Sequence, residues 1–308
     1  MNKIIIKSLM LSLPIIVFGI ILEILVRNTP NDYSVKKAYL DKHSTDIETL
    51  ILGSSESTFG IDPKYFSSNT YNASYFNQDL QYDLLILNKY INKLTKLKTI
   101  ILPITYLTYF NNLSTSKEKE YVKNYELYFD LRTGNTNQFN YHNEVLNSSF
   151  LKNSWHAFRY YVLKDSISKL MCSDLGWCNT WEGKESFDLD IFGPTEAENH
   201  NSLIKENKEL ISENLSYLTS IINICRENNI KLILFTQPTY KTYFNNIDKN
   251  SYARTIDQTI EISKSYENCV FLNYTNSIDF NAKDYLDPVH FNDSGAKILS
   301  LKLNQVIE

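Results

Sequence analysis

The chain has 308 residues, 43% of them hydrophobic and 21% charged, with a formal net charge of −4. That composition is ordinary for a globular protein and suits one large α/β domain with an insertion, or two small domains. The acidic balance offers nothing to nucleic acid, and with eight glycines and seven prolines no long flexible linker stands out. The first element runs from Ile4 to Val26 (IIIKSLMLSLPIIVFGIILEILV), interrupted only by Lys7 and Glu23 near its ends. About 20 apolar residues span a bilayer, and both charges lie close enough to an end to reach the interface. No Ala precedes Ala38, so no small-residue cleavage site follows the run, and no Cys precedes Cys172 to carry a lipid. The expectation is therefore an uncleaved, single-pass membrane anchor over residues 1–28, a core helix being the competing reading. Lys3 and Lys7 favour a cytoplasmic tail and an extracytoplasmic main domain, with Arg27 on the far flank weighing the other way.

Residues 29–45 read as a polar stalk. The remainder, 46–308, alternates strands with helices. Ile47 to Gly53 (IETLILG) is a buried strand ending in a small-residue turn, and Thr70 to Ser74 a short second one. Leu80 to Leu94 has the helical period, with Leu80, Leu84, Leu87, Ile91 and Leu94 on one face. Thr99 to Ile104 is the third strand, Ile211 to Cys225 a long helix, and Ile230 to Thr236 the fourth strand. A helix near Ala253 to Ser265 precedes the fifth strand, Cys269 to Asn273. The last helix starts at Asn292, a suitable N-cap, and aligns Ala296, Leu299, Leu303 and Val306. Continuous apolar strands alternating with helices predict a parallel sheet of about five strands covered on both sides, a three-layer α/β/α sandwich.

Tyr106 to about Asn201 breaks that rhythm and reads as an insertion over the sheet edge, partly helical around Leu151 to Leu170. It holds Trp155, Trp177 and Trp181 and the close pair Cys172 and Cys178. That pair forms a local disulfide in an oxidising compartment, or two free thiols otherwise. Cys225 and Cys269 read as small core residues. No Cys/His spacing resembles a zinc site, and no organic cofactor is indicated. The insertion either shapes a substrate cleft or pads the core.

In open α/β sheets ligands bind beyond the carboxyl ends of the strands. Two segments at those ends carry chemistry. Gly53-Ser54-Ser55-Glu56-Ser57 follows the first strand, and Asp287-Pro288-Val289-His290 stands between the fifth strand and the last helix. A serine hydroxyl needs a base, usually histidine, and a carboxylate to orient that base. Asp287 and His290, three apart on a turn stiffened by Pro288, can present one imidazole nitrogen to the carboxylate and the other to Ser55. Each half taken alone is an ordinary turn. Glu56 and His200 read as surface residues that could also border the site. Gln237, after the fourth strand, either contacts substrate or turns the chain.

In this order, the residues resemble the SGNH/GDSL hydrolase family, whose first block sets the serine in a G-D-S type turn and whose last is D-x-x-H before the C-terminal helix. The resemblance covers most of the chain from Ile47 onward. It implies strand order 2-1-3-4-5 and catalysis by Ser55, His290 and Asp287. The family's second block supplies a glycine N–H to the oxyanion hole. Here that stretch is Asn72 to Asn77, with Asn77 the stand-in for the glycine and Asn72 a further candidate. The third block supplies an asparagine, and Leu102 to Tyr106 has none, so the oxyanion hole would rest on the Ser55 N–H and one other group. The chain also looks like membrane-anchored SGNH-like proteins of bacterial cell-envelope polysaccharide acylation. That implies acyl transfer to or from a glycan hydroxyl, often with an integral membrane partner that delivers the acyl group. An esterase shares the mechanism, and a non-catalytic, membrane-tethered glycan-binding or assembly factor on the same scaffold is the competing reading.

Overall fold

The structure is a computed structural model that describes residues 2–114, 119–133, 143–146, 149–165, 170–178 and 187–307. Trp181 lies outside the described residues. In chain order the elements are α1 (Asn2–Arg27), α2 (Asp32–His43), β1 (Thr49–Ile51), α3 (Ser55–Gly60), β2 (Thr70–Asn72), α4 (Leu80–Tyr90), β3 (Thr99–Pro103), α5 (Lys119–Tyr128), α6 (Phe150–Tyr161), α7 (Leu189–Glu206), α8 (Ile211–Glu227), β4 (Lys231–Thr236), α9 (Lys241–Asn246), α10 (Lys249–Lys264), β5 (Cys269–Asn273) and α11 (Asp293–Ile307). The chain divides into two compact units, one of Met1–Ala38 with Lys117–Leu170, the other of Tyr39–Ser116 with Met171–Glu308.

The second unit is the α/β sandwich. Its strands form one parallel, five-stranded sheet in the order β2-β1-β3-β4-β5, as the resemblance implies. Ile51 pairs with Asn72 on one side and Ile101 on the other. Ile101 pairs with Ile233, and Leu234 with Phe271. Strand side chains alternate between faces. Ile51, Ile101, Ile233 and Phe235 point into one apolar cluster with Phe291, Leu299 and Leu303 of the C-terminal segment. Leu50, Ile100, Leu232 and Leu234 take the opposite face and are equally buried. Helices cover both faces. α4 packs on α8, α3 on α11, and α7 on α9. The α7–α9 approach is close because Gly193 carries no side chain there: a Cβ would sit 2.7 Å from the backbone nitrogen of Tyr243.

Two regions differ from expectation. The segment read as a stalk is helical over Asp32–His43, with Asp32 at its first turn and Lys42 and His43 at its last, charges that suit the helix dipole. Among its described residues the insertion carries α5, α6 and most of α7, of which α6 overlaps the helical stretch expected there. Cys172 and Cys178 are joined in a disulfide, while Cys225 and Cys269 are buried thiols.

In the first unit, among the described residues, one helix, Ile5–Arg27 within α1, is long and apolar enough to cross a membrane. α6 packs against α1. Lys123 and Glu144 form a fully buried ion pair at 2.9 Å, and Asn153 Nδ2 donates to the same carboxylate at 2.8 Å. Such a pair is retained only where further hydrogen bonds satisfy both charges.

Candidate active site

The end of β1 sets the serine. Leu52 is buried and Gly53 adopts φ +104°, a conformation that disfavours any side chain. A Cβ at Gly53 would lie 2.3 Å from the ring of Pro103 at the end of β3, so glycine is required on both grounds. From below, the Asp83 carboxylate of α4 accepts the Gly53 N–H at 2.8 Å. Ser54 is extended and ends the turn, and Ser55 opens α3. The Ser55 N–H precedes the first intrahelical bonds and has no acceptor among the described residues.

The turn before α11 sets the histidine. Asp287 Oδ1 accepts the backbone N–H groups of Val289 and His290, both at 2.9 Å, which closes the turn on its own carboxylate. Its Oδ2 accepts from His290 Nδ1 at 2.7 Å. That bond selects the tautomer with the proton on Nδ1, which leaves Nε2 as an acceptor. Nε2 lies 2.8 Å from Ser55 Oγ. The serine hydroxyl has one proton to give. Glu56 Oε2 stands 3.5 Å from the same oxygen and accepts instead from Ser54 Oγ, so the Ser55 proton points at His290. Phe59 meets the imidazole edge-on at 5.4 Å between ring centres.

Electrostatics follow from this packing. Burial alone would lower the His290 pKa, but the Asp287 charge and hydrogen bond, helped by Glu56 and Glu196, hold it above the ordinary histidine value. Burial likewise opposes ionisation of Asp287, and the imidazole with two backbone N–H groups outweighs it, leaving the carboxyl below its usual range.

Ser55 and His290 face a cavity of about 170 Å³. The other expected residues separate at this point. Asn77 lines the cavity in the left-handed region at φ +55°, a conformation asparagine tolerates better than most residues and one compatible with standing where a glycine would. Asn72 does not reach the cavity. It is fully buried, its amide donates to the carbonyls of Ser57 and Ile61 at 2.9 Å each, and its Oδ1 accepts from Ser74, so it fastens α3 to β2. Gln237 is also buried. Its Nε2 donates to Val289 O at 2.7 Å, bracing the turn that carries His290, and it lines a neighbouring recess of about 40 Å³.

Several lining groups were not singled out from sequence. Asn111, eight residues past β3 and outside Leu102 to Tyr106, lines the cavity. Asp79, Gln78 and Asp83 form its floor. Burial pushes the Asp79 carboxyl up to about 6 and that of Asp83 to about 7. From α7, Glu196 and His200 reach the cavity. His200, read from sequence as a surface residue, bonds Tyr243 Oη through Nδ1 at 2.7 Å and Glu196 through Nε2 at 3.0 Å. With both nitrogens engaged it is a fixed wall. Outside, Phe187 and Phe192 flank the Asp287–His290 turn along a depression of about 200 Å³. Among the described residues no group of His, Cys, Asp and Glu converges on a metal position.

Comparison with protein-family models and with curated proteins finds no match. Among solved structures, the chain is similar to one from Streptococcus pneumonia provisionally named a platelet activating factor, at 9% identity and TM-score 0.43, over 97% of this chain and 99% of that one. It is also similar to one from Bacteroides fragilis provisionally named an acylhydrolase, at 10% identity and TM-score 0.42, over 87% and 93%. At such values the likeness says nothing of chemistry, which rests on the geometry of this chain.

Proposed function

We propose that the chain is a serine hydrolase of acyl esters, and more narrowly a membrane-anchored, extracytoplasmic O-acyl esterase or acyltransferase acting on a cell-surface polysaccharide. The observation that carries the reading is the unbroken relay from Asp287 Oδ2 to His290 Nδ1 at 2.7 Å and from His290 Nε2 to Ser55 Oγ at 2.8 Å, opening on a cavity. In the reaction His290 Nε2 takes the Ser55 proton as Oγ attacks the ester carbonyl, and Asp287 stabilises the imidazolium that forms. The oxygen that becomes negative meets the Ser55 N–H at the start of α3, with Asn77 and Asn111 as the further polar groups on the cavity wall. His290 then returns the proton to the departing alkoxide, leaving an acyl-serine. Water or a sugar hydroxyl, deprotonated by the same imidazole, releases the acyl group.

The glycan part of the proposal is supported by the exposed rings of Phe187 and Phe192 beside His290, which offer apolar faces next to the reacting atoms. The membrane part is supported by the apolar length of α1. A transferase would need an acyl donor, and an integral membrane protein that delivers it fits an anchored enzyme.

The test uses the full chain in detergent, a fluorophosphonate probe and p-nitrophenyl acetate. Labelling and turnover that vanish in Ser55→Ala, a loss of about 10⁴-fold or more for a nucleophile, support the proposal. A wild-type chain that neither labels nor turns over would sink the hydrolase in favour of a partner-dependent transferase or a glycan-binding scaffold.

A further inference from the structure

α6 is built inside out. Its buried residues are Asn153 and Ala157, one polar and one small, while Leu151 is 80% exposed and Trp155 56% exposed, with Phe158 and Val162 exposed beside them. At about 100° per residue, spacings of four, three and four put these side chains on one stripe, opposite Asn153 and Ala157. Trp155 and Phe158 stack along it, 5.4 Å between ring centres and 18° between planes. Single exposed apolar residues are ordinary, but a continuous stripe marks an interaction surface.

The same unit says what covers it. α6 packs on α1, and the segment leading into it is tied to that helix. The Glu23 carboxylate accepts the backbone N–H groups of Glu144 and Val145 at 2.8 Å each, and Glu144 accepts from Asn153 of α6 at 2.8 Å. Glu23 lies one turn before Arg27, where the apolar run ends. The stripe is therefore anchored beside the end of the span. Residues 150–165 carry three cations, Lys152, Arg159 and Lys164, against one acid, Asp165, which pairs with Arg159. An apolar stripe with an aromatic pair and a net basic charge is the composition of a helix lying in the bilayer interface, where the headgroups of anionic lipids attract the remaining cations.

We propose that α6 is such an in-plane helix, seating Leu151, Trp155, Phe158 and Val162 in the lipid surface beside α1. The inference rests on α1 spanning the membrane and is independent of the chemistry at Ser55.

The full chain is reconstituted into vesicles of phosphatidylcholine and phosphatidylglycerol, with a bimane label on Trp155→Cys. A second sample carries it on Phe158→Cys, against the chance that the first perturbs folding, and a third on Ile16→Cys in the middle of α1. Quenching is read with lipid nitroxides placed shallow or deep on the acyl chain, and with aqueous iodide. The expected result is stronger shallow than deep quenching at 155 and 158, the reverse order at 16, and protection from iodide at all three. Full iodide access at 155 and 158 overturns the in-plane helix. So does resistance to both lipid nitroxides and iodide, which would mean that protein, including a second copy of this chain, covers the stripe. In either case deep quenching at 16 would leave the span standing. Iodide access at 16 sinks the span and with it the in-plane helix.

Discussion

Asp287 and Asp83 each stand one hydrogen bond from the machinery of the serine turn, one through the His290 imidazole and one through the Gly53 N–H, yet their environments treat them in opposite ways. Asp287 gathers two backbone N–H groups on one oxygen and an imidazole on the other, and its carboxyl is held below its ordinary range despite burial. Asp83 has one backbone N–H and the Gln78 amide, with the like charge of Asp79 nearby, and burial pushes its carboxyl up to about 7. The difference lies in burial and in the charge of the partner. Asp83 is 1% exposed and meets only neutral donors, whereas the Asp287 side chain is 24% exposed and faces an imidazole that can carry a positive charge. Neutral donors alone do not offset full burial, since Asp79 accepts several backbone N–H groups and is still pushed up to about 6. The first arrangement supplies a permanent negative charge to a base. The second supplies an acceptor that holds a loop in place at little electrostatic expense near neutral pH.

The largest test of that contrast is Asp287→Asn. The amide oxygen can still accept the Val289 and His290 N–H groups, so the turn survives, but the charge behind the imidazole is gone and the tautomer is no longer enforced. We expect kcat on p-nitrophenyl acetate to fall by about 10⁴-fold, with thermal stability little changed. A loss below about tenfold would mean that Asp287 only shapes the turn.

Asp83 separates in the other direction. Asp83→Ala leaves the buried Gly53 N–H without its acceptor, a cost of about 1–3 kcal/mol, and loosens the serine turn, so stability and activity fall together. Asp83→Asn keeps an acceptor for Gly53 and removes the titration. The folded-state pKa of Asp83 lies above its ordinary value, so the native chain holds a proton that the unfolded chain has released. The wild type therefore loses this contribution to stability as pH rises from the ordinary carboxylate range to about 7. Melting temperatures followed between pH 5 and 8 should decline less steeply in Asp83→Asn than in the wild type. Identical slopes would place the shifted proton elsewhere.

How much of this was readable beforehand follows the same physical line. The sheet was legible because buried parallel strands are apolar runs: β5 runs from Cys269 to Asn273 as read, and the other strands match within a few residues. The Ser55, Asp287 and His290 positions were legible because strand ends and a turn before a helix are sequence-local features. α7 was not. Its buried face is Leu189, Gly193, Ala197 and Ile204, two of them too small to raise an apolar signal, and Pro194 reads as a breaker. With it went Glu196 and the choice for His200 between the surface and the site border, since both positions depend on a long-range approach permitted by Gly193. Asp83 was hidden for another reason: a polar residue on an amphipathic helix reads as its solvent side, and only the fold shows it beneath Gly53. Asn72 was legible as a polar residue at a strand end but not as one consumed by the carbonyls of Ser57 and Ile61. α2 was masked by its polar composition.

Glu56 gives the smallest and most discriminating effect, because it lies between the two cases. It does not orient His290 and meets the serine turn only through the Ser54 hydroxyl, but its charge adds to that of Asp287 in raising the imidazole pKa. Activity requires neutral His290, so kcat/KM should rise with pH through an inflection above the ordinary histidine value. In Glu56→Gln one negative charge is lost and the hydrogen-bonding shape is kept. The protonated imidazole is then less favoured, and the inflection moves to lower pH while the high-pH plateau changes little. Salt should narrow the gap between the two profiles, since a charge acting through space at a partly open cavity is screened. A plateau that collapses in Glu56→Gln would instead make the carboxylate a direct participant at the Ser55 hydroxyl, 3.5 Å away, and a second acceptor for that proton beside His290.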